Sequence, residues 1–363
     1  MPASSKSKSQ KTPKSFDPLN MHGLIAGFSE QVREAAAIGR TVKVPYHKKD
    51  ISNIVVSGLG GSAIGGDVLR AYTSDEISVP IIVNRHYFLP GFVDSSTLVI
   101  ISSYSGNTEE TIAVHADAVR RGAKIVCISS NGEIAKRARL LKQTLVTIPG
   151  GLPPRTALGY SFMPMLAVLE YMKFIPSQQL VIEETVAMLR LFAKLFGGDS
   201  VKNNPALMIA QRLHGKLPVV YSSADRFDVV NLRWRGQISE NAKTLAYGHV
   251  VPEMNHNEFV GWSRAFHKGN TPDKLGKSIG VVLLRDREDY ARVQMRFEVM
   301  KRIIAPLAGD LIEVKSEGKS LLTRMFYLIH LGDWVSYHLA KLNNVDPTPV
   351  KVIDYLKDEL GKK

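Results

Sequence analysis

Two loops in this chain carry the residue types that hold a phosphate. The first lies in Ile54-Val-Val-Ser-Gly-Leu-Gly-Gly-Ser-Ala-Ile-Gly-Gly66, the second in Leu98-Val-Ile-Ile-Ser-Ser-Tyr-Ser-Gly-Asn-Thr-Glu-Glu-Thr111. Each follows a β-type apolar run and leads into a helical pattern. A strand that turns through glycine into a helix leaves backbone N–H groups free at the positive end of the helix dipole. Hydroxyls beside those N–H groups complete a cradle for a phosphate. Gly60, Gly61 and Ser62 supply these parts in the first loop, and Ser103, Ser105 and Thr108 in the second. Two such loops on consecutive βα units open on the same carboxyl edge of a parallel sheet, where open α/β folds bind ligands.

Gly58-Leu-Gly60-Gly-Ser-Ala63 also fits the G-x-G-x-x-A dinucleotide fingerprint. That fingerprint needs an acid for the ribose at the end of the second strand, and here the strand ends Asn84-Arg85; Arg85 would suit only a 2′-phosphate. The five hydroxyls of Ser102, Ser103, Ser105, Thr108 and Thr111 around Gly106 favour a grip on one phosphate. Glu109 and Glu110 read as first-turn acids that complement the helix dipole. No metal or cofactor is expected, because His249, His256 and His267 lack the convergent spacing of a metal site. Taken alone, Glu240 is a helix acid paired with Lys243, His256 a loop or helix-start histidine, and Arg155 an arginine held by two prolines.

These residues must be positioned by an α/β scaffold. A helix is predicted over 21–37, then strands over 54–57, 81–84, 98–102, 124–129 and 144–148 with helical stretches in most gaps, the rhythm of a parallel sheet. Pro153 and Pro154 predict an extended loop before a helix over 156–174. A helix over 178–196 stops at Gly197-Gly198, and 197–205 is the natural boundary. Beyond it come helices over 206–214, 229–245, 288–304 and 320–342, and strands over 218–222, 278–284 and 310–314. The expected organisation is two three-layer α/β/α domains with mainly parallel sheets, 19–200 and 201–363, each with its own core. The helix over 320–342 is apolar around most of its circumference, so it should be buried, with His330 and His338 as satisfied core histidines.

Composition narrows the function classes. The formal charge is +13, and residues 1–15 hold four lysines and no acid, so 1–18 read as a disordered basic tail. The rest of the chain is still basic, which concentrates small anions; no helix-turn-helix, zinc-knuckle or aromatic RNA-binding signature points to nucleic acid. No apolar run is long enough to cross a membrane and no signal-peptide core opens the chain. The single Cys127 sits in a strand-like run and reads as a buried residue in a reducing cytoplasm.

Ser103-Tyr-Ser-Gly-Asn-Thr-Glu-Glu-Thr111 resembles the phosphate-binding signature of the sugar isomerase (SIS) domain. With Gly58-Leu-Gly-Gly-Ser62, Pro153-Pro-Arg155, Ser239-Glu-Asn-Ala242 and Pro252-Glu-Met-Asn-His-Asn-Glu258, the chain is similar to the bifunctional phosphoglucose/phosphomannose isomerase family from about residue 20 to its end. The resemblance implies two SIS domains and interconversion of glucose 6-phosphate, fructose 6-phosphate and mannose 6-phosphate through a cis-enediolate. It implies Glu240 as the proton-abstracting base, Arg155 as the cation at the enediolate oxygen, and His256 and Lys351 as ring-opening groups. It also implies a cofactor-free homodimer in which His256 comes from the neighbouring subunit. Asn343-Asn344 is where control of the C2 epimer would be sought. The alternative from another class is a sugar-phosphate-binding SIS regulator without catalysis.

Overall fold

The computed structural model describes residues 16–224, 226–266 and 274–362. The predicted tail, apart from 16–18, lies outside the described residues, as does His267. Residues 16–18 belong to the body: the Asp17 carboxylate accepts the Met21 and His22 N–H groups at 2.7 and 2.8 Å, and Phe16 lies edge-on to Tyr337.

The first half runs α1 (Met21–Ala26), α2 (Phe28–Arg40), β1 (Asn53–Ser57), α3 (Gly61–Thr73), β2 (Ile81–Asn84), β3 (Thr97–Ser102), α4 (Glu109–Arg120), β4 (Lys124–Ser129), α5 (Gly132–Leu140) and β5 (Thr144–Thr147). A 3₁₀ turn (Pro154–Thr156) precedes α6 (Leu158–Tyr171) and α7 (Gln179–Phe196). The five strands are parallel in the order β2-β1-β3-β4-β5. The direction of winding reverses between β1 and β3, so the two loops read from the sequence sit side by side at a topological switch point.

The second half runs α8 (Pro205–Leu213), β6 (Leu217–Ser223), α9 (Asp228–Ala242), β7 (Tyr247–Val251), two 3₁₀ turns (Glu253–His256 and Glu258–Phe266), α10 (Lys274–Lys277), β8 (Ile279–Arg285), α11 (Ala291–Ile304), β9 (Asp310–Lys315), α12 (Leu321–Leu342) and α13 (Lys351–Leu360). Its sheet is parallel in the order β7-β6-β8-β9, the same winding with one strand fewer. Caps set several helix limits. Asn204 accepts the Leu207 N–H ahead of Pro205, Ser320 accepts the Thr323 N–H, and α9 stops where Lys243 turns left-handed at φ 54°.

The layers follow from strand alternation. Val55, Val99, Ile101, Ile125 and Cys127 face α4 and α5, whereas Ile54, Val56, Leu98, Ile100 and Val126 face inward. In the second sheet Val219, Tyr221, Val281 and Leu283 pack on α11, and Val220, Val282 and Leu284 face inward. The two inner faces share one hydrophobic cluster with α12, instead of each half closing its own core. The reason is α12 itself: it is buried on all sides and must be covered from both halves.

Other expectations need correction. The first predicted helix breaks into α1 and α2 at Gly27, and the extended loop ends at Pro153, because Pro154 starts the 3₁₀ turn Pro154–Thr156 at a first-turn position where its missing N–H costs nothing. The strand β7 was not foreseen. Cys127 is fully buried, and His330 and His338 are core residues: His330 accepts the Trp334 indole N–H at 3.1 Å, and His338 Nε2–H donates to the Phe196 carbonyl at 2.6 Å.

Burial, aided by the Arg233 cation, pushes the His330 imidazole down to about 3. The unfolded chain takes up this proton near pH 6.5 and the native chain does not, so stability is complete above that pH and falls below it. The loss approaches about 1.4 kcal/mol per pH unit below 6.5. Urea unfolding at pH 7 and 5.5 should show a smaller acid loss in His330→Gln than in the wild type; equal losses would remove His330 from the account.

Candidate active site

Both predicted cradles form at helix starts. Gly60, at φ 52°, turns β1 into α3, and Gly61 lets the Pro154–Thr156 turn approach, since a Cβ there would sit 2.4 Å from the Pro154 carbonyl oxygen. In the second loop the buried Ser103 hydroxyl donates to Thr108 Oγ1 at 3.2 Å, and the exposed Ser105 hydroxyl accepts the Asn107 N–H at 3.3 Å. The Tyr104 N–H donates to Ser62 Oγ at 3.2 Å, which ties the two loops together. No side chain caps α4, so its first N–H groups stay open beside the hydroxyls.

A cleft of about 210 Å³ opens from the first loop towards α9, lined by Gly60, Gly61, Arg85, Arg155, Gln237 and Glu240 among others. Arg155 is 5 % exposed. Its Nε donates to Asn241 Oδ1 at 2.7 Å, its Nη2 to the Pro347 and Thr348 carbonyls at 2.8 and 2.7 Å, and its Nη1 to Glu240 Oε2 at 3.4 Å. Burial pulls the guanidinium down from its usual value while Glu240 and Asp346 pull it back; starting so high, it stays a cation at working pH. The Lys243 ammonium does not pair with the Glu240 carboxylate as a helix pair would. It donates to the Glu240 and Pro347 carbonyls instead, and burial and Arg155 depress it. The base candidate is therefore left facing Arg155 and the cleft.

Beneath the cleft lies a layer the sequence did not announce. Arg233 Nη2 donates to the Arg155 carbonyl at 3.1 Å and to Asp333 at 2.7 Å, and Gln237 donates to the other Asp333 oxygen at 2.7 Å. Asn241 donates to Ser336 on α12 at 2.9 Å while accepting Arg155. The neighbour of Glu240 in the Glu-Asn-Ala motif is thus the residue that aims Arg155; its adjacency was the available signal. Arg85 was read for a nucleotide and instead lines this cleft, paired with Asp67.

The remaining expected residues are placed differently. His256 is exposed on the turn after β7 and does not line the cleft. Its polar neighbours are engaged with other partners, Asn257 donating to Glu253 at 3.0 Å and Tyr221 to Glu258. Lys351 opens the exposed α13, three residues after the Thr348 carbonyl that holds Arg155. Asn343 donates to the Ala242 carbonyl and Thr244 hydroxyl, at 2.9 and 3.0 Å, and Asn344 is an exposed left-handed residue just past α12, so both serve helix ends. Among the described residues no three His, Cys, Asp or Glu side chains converge to hold a metal.

A larger cavity, about 360 Å³, lies at the matching edge of the second sheet, between Ser74 and Asp75 on one side and Ser223, Arg226, Asp286, Glu288 and Asp289 on the other. Its acids repel a phosphate, and Asp286 is already spent on Arg324 in a buried pair at 2.8 Å. Of the two, the smaller cleft is the one whose lining suits an anion. A carboxylate opposed to a fixed cation beside a phosphate cradle can take a proton from a carbon next to a carbonyl and hold the resulting oxyanion.

Comparison with known proteins agrees with that chemistry. Residues 202–360 match the family model of the bacterial phospho-glucose isomerase C-terminal SIS domain. The bifunctional phosphoglucose/phosphomannose isomerase of Caldicellulosiruptor bescii is 42% identical over 93% of this chain and 98% of its own. That of Aquifex aeolicus is 37% identical over 85% and 90%. The chain belongs to the bifunctional phosphoglucose/phosphomannose isomerase family. It is an enzyme of the isomerase class. A D-glucosamine-6-phosphate 4-epimerase of Sulfolobus acidocaldarius is more distant, at 28% over 85% and 90%. Among solved structures, the C-terminal domain of glucosamine-fructose-6-phosphate aminotransferase from Francisella tularensis shares the fold at TM-score 0.69 and 14% identity, over 93% of this chain and 100% of that one.

Asp333 is buried and its carboxyl is pushed up by desolvation against the pull of Arg233. Asp333→Leu should destabilise the chain by about 3–5 kcal/mol in urea unfolding, because Arg233 is left buried without its counter-charge. A loss below 1 kcal/mol, which is about the worth of an exposed pair, would show that the brace is not structural.

Proposed function

We propose that this chain interconverts glucose 6-phosphate and fructose 6-phosphate, and takes mannose 6-phosphate through the same intermediate. The observation that carries this reading is Glu240 facing Arg155 in a cleft floored by the Gly60-Gly61 turn. The phosphate sits against the open N–H groups and hydroxyls of Gly60, Gly61, Ser62, Ser103, Ser105 and Thr108. Anchored there, the open-chain sugar lays its first two carbons between Glu240 and Arg155, which converts an encounter into a positioned reaction.

Glu240 takes the C2 proton of the aldose. The C–H electron pair becomes the C1=C2 bond, and the carbonyl π pair moves onto O1, where Arg155 meets the negative charge. Returning that proton to C1 while the O2 proton passes to O1 gives the ketose; returning it to the opposite face of C2 while the O1 electron pair re-forms the C1 carbonyl gives the epimer. Because Arg155 is held by four partners before substrate arrives, its charge needs no reorganisation as the oxyanion forms. No step requires a cofactor or metal, so activity should survive a chelator.

His256 and Lys351 serve ring opening in this reading, and the partner subunit's His256 completes each site of a homodimer. Exposure of His256 outside its own cleft supports that arrangement. So does α13, which presents Val352, Ile353, Tyr355, Leu356 and Leu360 with none of its residues buried by its own chain. Residues 19–200 and 201–363 act as the two SIS domains. No helix of the described residues is long and apolar enough to cross a membrane, and neither membrane nor nucleic acid has a part in this reading, which places the enzyme in the cytoplasm.

Glu240→Gln should cut turnover at least about 10³-fold, a loss of roughly 4 kcal/mol of transition-state stabilisation, and abolish exchange of solvent deuterium into C2 while the phosphate still binds. Wild-type exchange in that variant would exclude Glu240; no exchange in the wild type would favour a non-catalytic binding protein. Mixing inactive Glu240→Gln and His256→Ala chains should restore activity, since a mixed dimer with shared sites keeps one intact; no restoration would place His256 in its own subunit's site.

A further inference from the structure

The cleft holds three guanidinium groups, and counting their donors separates them. Arg155 has Nε and both Nη groups engaged. Arg233 is 5 % exposed, with Nη2 shared between Asp333 and the Arg155 carbonyl. Arg85, at the end of β2, is different. Its side chain is 41% exposed, and among the described residues its one recorded partner is Asp67, reached through Nη2. Among the described residues its Nε and Nη1 hydrogens and the second Nη2 hydrogen have no recorded partner, and the residue lines the cleft together with Gly60 and Gly61.

Asp67 makes that pose a built one. It lies on α3, the helix whose N-terminus forms the first cradle, and is 7 % exposed. Burial pushes its carboxyl up, and Arg85, held beside it in the ion pair, pulls it back down. A carboxylate that fixes one edge of the fork leaves the other edge pre-aimed, and two parallel N–H groups match two oxygens of a phosphate.

We propose that Arg85 is a further phosphate-binding residue, closing on the substrate's phosphate from the β2 side of the Gly60-Gly61 turn, with Asp67 as its positioning residue. This rests on the isomerase reading above. The arginine that suited a nucleotide in the sequence thus serves the sugar phosphate. It acts on binding, because the phosphate carries the same charge in substrate and transition state.

The test measures kcat and KM for glucose 6-phosphate and the inhibition constant of inorganic phosphate, in wild type, Arg85→Ala and Arg85→Lys, with melting curves to confirm folding. Arg85→Ala should raise KM and the phosphate constant together, by about 10- to 100-fold, the worth of a charged hydrogen-bond pair, with kcat within about threefold. Arg85→Lys keeps the charge beside Asp67 but loses the fork, and should raise both constants by about 3- to 10-fold, which reads the proposal even if the alanine variant does not fold. Constants within twofold of wild type in a folded variant would overturn it. So would a fall in kcat alone. Calorimetry with inorganic phosphate gives the same comparison without turnover, so a wild type that fails to isomerise would sink the isomerase reading and still leave Arg85 tested.

Discussion

The site depends on one buried cation. Arg155 brings its charge out of water, which is tolerable only because every face of the guanidinium meets an acceptor: an amide oxygen, two main-chain carbonyls and a carboxylate. Those acceptors come from α9 and from the 347–348 segment that leads into α13, while Arg155 itself stands on the Pro154–Thr156 turn of the first half. One side chain therefore locks together three parts of the chain that are distant in sequence. Its own carbonyl is held in turn by Arg233, whose charge is answered by Asp333 on the buried α12.

The architecture explains why the lock sits there. Two parallel sheets of the same winding share their inner helices, so the carboxyl edge of the first sheet opens against a helix of the second half. The two glycine- and hydroxyl-bearing loops belong to one sheet, and Glu240 and its neighbours to the half that holds the other. Only the first switch point is built for an anion. The second keeps the topology but carries Asp286, Glu288 and Asp289 where hydroxyls and free N–H groups would be needed.

What the sequence made legible follows from how local each signal is. Strand alternation and glycine turns are short-range, so the two strand-to-helix loops and eight of the nine strands among the described residues could be read directly. The strand β7 escaped because it is an edge strand with Gly248 as its second residue, and that glycine is there because a Cβ would sit 2.2 Å from the Val220 carbonyl oxygen. The shared core escaped because an apolar helix such as α12 does not say which sheets will cover it. Glu240 and Arg155 read as ordinary surface residues until the family motifs set them apart, since their meeting is made by long-range packing. Arg85, Asn241 and Asp333 show the same limit: each is engaged by a partner 18, 86 and 100 residues away in sequence, respectively. His256 marks a further one, because a single chain does not bring it to the cleft.

A crystal structure with a phosphorylated hydroxamate, a stable mimic of the enediolate, tests the central claim most directly. The account predicts the hydroxamate oxygens within hydrogen-bonding distance of Arg155, the Glu240 carboxylate over the adjacent carbons, and the phosphate against the 58–62 and 103–108 loops. A mimic seated at the second sheet's acidic cavity, or one that displaces Arg155 from Asn241 and the 347–348 carbonyls, would contradict it.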